Sequence, residues 1–194
     1  MSSIIVYGNS APIGQQKRIS RNTPVAPANC YGDSKARAEE GLLALRDPAF
    51  RVVILRPPMI YGPGCKGNYP MLSKLAQRMP LFPCIKNERS MLYVENLAEF
   101  VRLMIHNEED GVFHPQNASC VQTSELVKMI AAAHGKKLQT VKGFTWLLKL
   151  ASHFTAIVDK AFGNLSYDSA LSDYRDNYQV CDFAESIRRT ENSL

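Results

Sequence analysis

The chain has 194 residues, 45% of them hydrophobic and 21% charged, which is ordinary globular composition and enough for one core of usual size. Its formal charge of +5 is scattered without blocks and it carries no nucleic-acid recognition motif, so neither nucleic acid nor a membrane surface is expected as a partner. Five cysteines, an odd number with no C-x-x-C pair, fit a reduced, cytoplasmic compartment.

Taken in order, the chain opens on Ile4-Ile5-Val6-Tyr7, a short β-branched run stopped by Gly8-Asn9-Ser10, which predicts a buried strand ending in a turn. The first residues lack the basic start and apolar run of a secretion signal. Residues 11–29 contain Pro12, Pro24 and Pro27 and read as a surface loop. A helix is predicted over residues 31–45, packed through Ala36, Ala38, Leu42, Leu43 and Leu45 and ended by Asp47-Pro48. The continuous apolar run of residues 50–56 suits a parallel strand covered on both faces. Strand, helix and strand at this spacing make a βαβ unit, hence an α/β fold.

The next stretch holds Gly62-x-Gly64-x-x-Gly67, letter for letter a dinucleotide fingerprint. That fingerprint works when a strand runs into a glycine turn and then a helix whose N-terminus receives pyrophosphate. Here Pro57 and Pro58 interrupt the approach, Pro63 stiffens the turn and Asn68-Tyr69-Pro70 stands before the next helix. The stretch therefore reads as a flexible loop at the carboxyl end of a strand, where α/β sheets bind ligands. A helix follows over residues 70–79, then an irregular or edge strand over 81–86 and a strand over 89–94. Asn96 is a candidate cap for a helix over 97–106. Residues 111–114 read as a short strand and 123–134 as a helix with Glu125 in its first turn. The apolar run 144–158 is broken by Lys149 and His153 and is too short to span a bilayer, so it reads as a buried or amphipathic helix. Residues 167–180 are polar and irregular, and a short helix begins at Asp182.

Chemistry concentrates in Tyr31-Gly32-Asp33-Ser34-Lys35. Residues at i and i+4 share a helix face, so Tyr31 and Lys35 can point into one cleft. An ammonium beside a phenol favours the phenolate, which suits Tyr31 to proton transfer. As a bare pattern this is equally a half-buried tyrosine with a solvated lysine. On residues alone Ser3 is a strand-end serine satisfied by backbone, and Arg89 an ordinary surface arginine.

Four ordered stretches change that balance: residues 2–8 (Ser-Ser-Ile-Ile-Val-Tyr-Gly), residues 31–35, residues 55–64 (Leu-Arg-Pro-Pro-Met-Ile-Tyr-Gly-Pro-Gly) and residues 89–98 (Arg-Ser-Met-Leu-Tyr-Val-Glu-Asn-Leu-Ala). Together they resemble the extended short-chain dehydrogenases/reductases, and among these the NAD-dependent nucleotide-sugar epimerases and dehydratases of the UDP-glucose 4-epimerase kind. The resemblance covers residues 2–98 well and the remainder loosely. It implies the C-terminal half of a doubly wound, Rossmann-like parallel sheet in residues 1–62, with catalytic Ser3, Tyr31 and Lys35. Residues 63–194 would form mainly a small α/β substrate-binding subdomain, with a strand and helix near 89–106 returning to the sheet.

The resemblance further implies NAD as cofactor and a nucleotide sugar as substrate. Tyr31 would exchange the sugar hydroxyl proton, Lys35 would hold the nicotinamide ribose, and Ser3 would hydrogen-bond the reacting oxygen. Pro58 would lie near the nicotinamide, Asn68 near the nucleotide diphosphate, and Arg89 would pair with that diphosphate through its planar fork. Met59 stands where many relatives place an asparagine that touches the sugar nucleotide. The glycine-rich turn that grips adenosine and pyrophosphate in this family belongs upstream of the opening strand. The expected isolated chain is thus poorly active, with an exposed strand edge that invites homo-oligomers or edge-strand pairing. An epimerase, a keto-sugar reductase, a nucleotide-sugar-binding fragment without redox chemistry and an interaction module all remain open. A 4,6-dehydratase fits less well, since no acidic partner accompanies Ser2-Ser3.

Overall fold

Parallel pairing organises the computed structural model, which describes residues 1–143 and 162–192. Its strands are β1 (Arg18–Ile19), β2 (Val53–Leu55), β3 (Met59–Tyr61), β4 (Leu81–Pro83), β5 (Met91–Tyr93), β6 (Gly111–Phe113), β7 (Gln139–Val141) and β8 (Ser166–Tyr167). They pair as β1 with β8, β2 with β6, β3 with β5 and β4 with β7, all parallel. Among the described residues the helices that connect or cover them are α1 (Cys30–Leu43), α2 (Asn68–Arg78), α3 (Val94–His106), α4 (Thr123–Ala133) and α5 (Phe183–Asn192). The α/β class with a parallel sheet read from the sequence is therefore present.

The opening strand is not where the sequence placed it. Ile4–Tyr7 is a 3-10 turn, with Ser3 at its N-cap accepting a bond from the Ile5 N–H. The extended piece lies just before it. The Ser2 N–H donates to the Leu55 carbonyl at 2.6 Å and the Ile4 N–H to the Pro57 carbonyl at 2.9 Å, the spacing of a parallel ladder beside β2. The return bond to the Ser2 carbonyl would come from residue 57, a proline with no N–H to give. Pairing stops there and the β-branched run closes into a tight turn instead.

The prolines also end β2 without ending the chain's extension. The stretch read as a flexible loop contains β3, which pairs with β5 register for register. α2 begins at Asn68, directly after Gly67, so Pro70 falls in its first turn. Gly62-x-Gly64-x-x-Gly67 therefore does sit between a strand and a helix, contrary to expectation. Yet a Cβ on Gly62 would collide with the Val94 side chain, so this glycine lets the loop pack onto α3.

Three apolar clusters form the interior. The largest lies among β3, β5, α2, α4 and α5, around Tyr61, Tyr69, Phe82, Leu126, Ile130 and Ile187. A second joins β2 and β5 to α3 through Leu55, Leu92, Leu97, Phe100 and Leu103. A third sits under the 3-10 turn, where Val6, Tyr7 and Ile19 meet Leu165 and Tyr167. That contact turns the proline-rich loop of residues 11–29 into an ordered segment tied down by β1 and β8. Asn96 does not cap α3, whose N-cap is Tyr93. It is buried inside, where its side chain exchanges bonds with both the N–H and the carbonyl of Cys181. α5 is longer than the short final helix expected. The helix expected over 144–158 lies outside the described residues. Among those that are described, no helix is long and apolar enough to cross a membrane.

α1 departs most from its expected packing. Only Gly32 and Glu39 are buried along its 14 residues, while Leu42 and Leu45 are 43% and 62% exposed. Gly32 allows the closest approach: a Cβ there would sit 2.9 Å from the Ile5 carbonyl oxygen. Gly32→Ala should therefore push α1 off the 3-10 turn, costing about 1–3 kcal/mol as overpacking does. A melting temperature unchanged by the substitution would count against this account.

Candidate active site

Asn29 caps α1 by accepting the Gly32 N–H at 2.9 Å, as an N-cap side chain does. This starts the helix at Cys30 and puts Tyr31 and Lys35 on its first two turns. Tyr31 is 57% exposed, and the Lys35 ammonium stands 5.7 Å from the centroid of its ring. The Lys35 Nζ also reaches the Met1 carbonyl at 3.5 Å. Ser3 is half-buried at the cap of the turn against which α1 packs. Pro58 is buried at the end of the segment alongside Ile4. Ser3 thus caps the 3-10 turn against which α1, the helix of Tyr31 and Lys35, packs, and Pro58 follows the residue whose carbonyl accepts from Ile4.

Asn68 and Arg89 stand on other elements. Asn68 is half-buried as the first residue of α2, whose N-cap Gly67 offers no side-chain bond. The N–H groups of Asn68 and Tyr69, ahead of the donor-less Pro70, are left for an anion. Arg89 is no surface arginine. Its backbone bridges Val121 and Leu165, its Nη1 donates to the Gly163 carbonyl at 3.3 Å, and burial pulls its pKa below the ordinary arginine value.

Behind α1 lies a polar network that sequence reasoning missed. Arg56, at the end of β2, donates from Nε to both carboxylate oxygens of Glu39 at 3.1 Å and from Nη2 to one of them at 2.5 Å. Its Nη1 donates to the Tyr7 hydroxyl at 2.6 Å. That hydroxyl lies 2.8 Å from Nε2 of His114, and the Tyr167 hydroxyl donates to the Arg56 carbonyl at 2.7 Å. Burial works against the Arg56 charge, but Glu39 and Tyr7 more than offset it and its pKa rises. Burial raises the Tyr7 phenol, although Arg56 pulls it down. His114 is pushed down to about 4 by burial, and the Arg56 charge adds to the effect. The imidazole is therefore neutral, and Nε2 accepts from the Tyr7 hydroxyl while that oxygen accepts from Arg56. A cleft of about 470 Å³ opens onto the network and is lined by Tyr7, Arg56 and His114 together with Arg21, Thr23 and Asp173. The one clue in the sequence was Glu39, which follows Lys35 by another four residues on the same helix side. Its partner 17 residues on could not be read from local pattern.

The family model described as NAD dependent epimerase/dehydratase family matches residues 1–116, more than half the chain. UDP-glucose 4-epimerase of Vibrio cholerae is 32% identical over 177 residues, which are 87% of this chain and 53% of that protein. N-acetyl-alpha-D-glucosaminyl-diphospho-ditrans,octacis-undecaprenol 4-epimerase of Escherichia coli O157:H7 is 30% identical over 147 residues, 72% of this chain and 43% of that protein. Among solved structures, UDP-glucose 4-epimerase of Thermus thermophilus in complex with NAD superposes with a TM-score of 0.69 at 19% identity, covering 99% of this chain and 61% of that one. The chain spans about half the length of the curated relatives it matches. On its sequence, and with a fold that agrees, the chain belongs to the NAD-dependent epimerase/dehydratase family.

Proposed function

We propose that this chain is the catalytic and substrate-binding part of a cytoplasmic, NAD-dependent nucleotide-sugar 4-epimerase acting on UDP-glucose and UDP-galactose. The observation that carries the reading is the exposed Tyr31 phenol beside Lys35, on the helix that packs against the turn capped by Ser3. In this reading residues 1–62 hold the reacting groups and residues 63–194 mainly the substrate, and the protein associates as a homo-oligomer or through its strand edge.

The residues present fit the nicotinamide end of NAD. Lys35 has one long backbone contact, at 3.5 Å, which leaves donors for ribose hydroxyls, and buried Pro58 offers an apolar wall nearby. When bound, NAD supplies a hydride acceptor and donor for the sugar carbon. Tyr31 takes and returns the hydroxyl proton, and Ser3 holds the same oxygen by hydrogen bond. Asn68 and the open N-terminus of α2 receive the substrate diphosphate, and Arg89 adds its donors to it. The same Ser, Tyr and Lys would serve a keto-sugar reductase.

One observation favours nucleotide-sugar binding without redox chemistry. Gly62, first of the G-x-G-x-x-G glycines, is filled by Val94 and so offers no cradle for the pyrophosphate of a dinucleotide. Titration of the chain with NADH, followed by energy transfer from Trp146, separates the readings. Saturable binding at micromolar concentration, roughly −8 kcal/mol, supports the epimerase. Binding of UDP with none of NADH would sink it and leave the second reading. Given turnover, Tyr31→Phe should keep NADH affinity and lose at least about 100-fold in rate, the usual scale of a lost acid/base group.

A further inference from the structure

Charge that is scattered along the sequence is gathered by the fold. Residues 67–85 and 126–158 contain no Asp or Glu, and the described parts of both stretches meet where α2 runs into β4. Lys74 and Arg78 stand one turn apart on the exposed side of α2. Lys136, just beyond α4, donates from Nζ to the Gln77 carbonyl at 2.6 Å, and the Gln139 N–H donates to the Pro80 carbonyl at 3.0 Å. Lys136 and exposed Lys137 are thereby fixed beside Arg78, and exposed Lys142 follows the end of β7. On α4 and α5, Glu125 pairs with Lys128 and buried Glu191 is bonded to His134. Among the described residues none of the cations that gather here forms an ion pair.

These cations border an apolar surface. Phe82, in the middle of β4, is 2% exposed and belongs to the core, so alternation turns Leu81 and Pro83 outward. The parallel register sets Leu81 against Gln139 and Pro83 against Val141, which puts these residues on the outer face of the β4–β7 pair. Leu81 is 50% exposed, and Met79, between Arg78 and this strand, is 38% exposed.

We propose that the outer face of β4 and β7, with its rim of cations, docks on the anionic headgroups of a phospholipid bilayer. Lysine and arginine meet lipid phosphates at the headgroup level, while aliphatic side chains set among them reach the acyl boundary. A nucleic-acid strand calls for aromatic platforms on which bases stack, and Met79, Leu81, Pro83 and Val141 have none to give. A second copy fits no better, since a two-fold axis through the face would set Arg78, Lys136 and Lys137 against their own counterparts. This replaces the expectation, drawn from the scatter of charge in the sequence, that no membrane surface is met. It is independent of the epimerase reading.

The test is sedimentation of the 194-residue chain with vesicles of phosphatidylglycerol and, separately, of phosphatidylcholine. The chain should pellet with the first and stay in solution with the second. Arg78→Glu combined with Lys137→Glu should weaken binding to phosphatidylglycerol at least about tenfold, since each cation near an anionic surface contributes separately. Met79→Ser with Leu81→Ser should weaken it most at raised salt, where the charges are screened and the apolar contact carries what remains. All four side chains are exposed, so both variants should keep the circular dichroism of the parent, which separates lost docking from lost folding. Equal pelleting with the two lipids, no pelleting with phosphatidylglycerol, or pelleting unchanged by the Arg78 and Lys137 variant would overturn the proposal. So would an oligouridylate that binds through the same cations as tightly as the vesicles, because the occupant would then be a nucleic-acid strand. None of these readouts uses NADH or turnover, so failure of the cofactor reading stays distinguishable.

Discussion

Arg56→Met should lower the free energy of unfolding by about 3–5 kcal/mol, because it strands the buried Glu39 carboxylate without a partner. The two side chains are only 12% and 6% exposed, so solvent compensates the lost donors poorly. Glu39→Leu alone should cost a similar amount by stranding Arg56. The double variant should recover much of the loss, since an apolar pair in place of a buried ion pair is often neutral. Urea denaturation of the four proteins closes the cycle. A single-variant loss below about 1 kcal/mol would mean that the pair behaves as an exposed salt bridge. Glu39 is the only buried side chain of α1 beyond the Cβ-less Gly32. The same variants should therefore loosen the helix that carries Tyr31 and Lys35 before they disturb α3 or α4.

The second large effect is acid sensitivity centred on His114. Its folded pKa of about 4 lies below the ~6.5 of an unfolded histidine. The unfolded chain therefore binds a proton more readily as pH falls through 6.5, and the native state does so only near 4. The stability that His114 contributes is complete above pH 6.5 and is lost progressively down to about pH 4, up to about 3 kcal/mol. His114→Gln, which keeps an acceptor for the Tyr7 hydroxyl, should remove that slope. The measurement is the difference between the two stability-versus-pH curves, which cancels the carboxylates that titrate in both. Parallel curves between pH 6.5 and 4 would show that His114 is protonated in the folded protein.

What the sequence made legible was local. The run of α1, β2 as a buried parallel strand, β5 before α3, and α4 from Thr123 all follow from periodicity, breakers and caps. The residue spacing of Tyr31 and Lys35 also survives as one helix face. Pairing between distant segments was not legible. Nothing near Ile4 tells that its N–H will be accepted by the Pro57 carbonyl, yet the N–H that Pro57 lacks leaves this ladder incomplete, and the run is a 3-10 turn. Asn96 has the chemistry of a cap, but its bonds go to Cys181, 85 residues away. Leu42 and Leu45 were apolar at helical spacing and so read as core. Periodicity identifies a face that wants covering and is silent on which polypeptide covers it.

The way α5 is fastened has a consequence for synthesis. The Tyr61 hydroxyl and the Ser186 hydroxyl, 125 residues apart, lie 2.5 Å from each other, and Asn117 donates to the same phenol at 3.0 Å. The largest apolar cluster is closed by Ile187 from that helix. A ribosome must therefore deliver the chain through residue 187 before α5 can cover β3 and β5. Until then the aromatic surface of Tyr61, Tyr69 and Tyr93 stays open to solvent. Such late, long-range closure slows folding and leaves a nascent intermediate that chaperones would hold. Loss of α5 should be felt first as aggregation during expression.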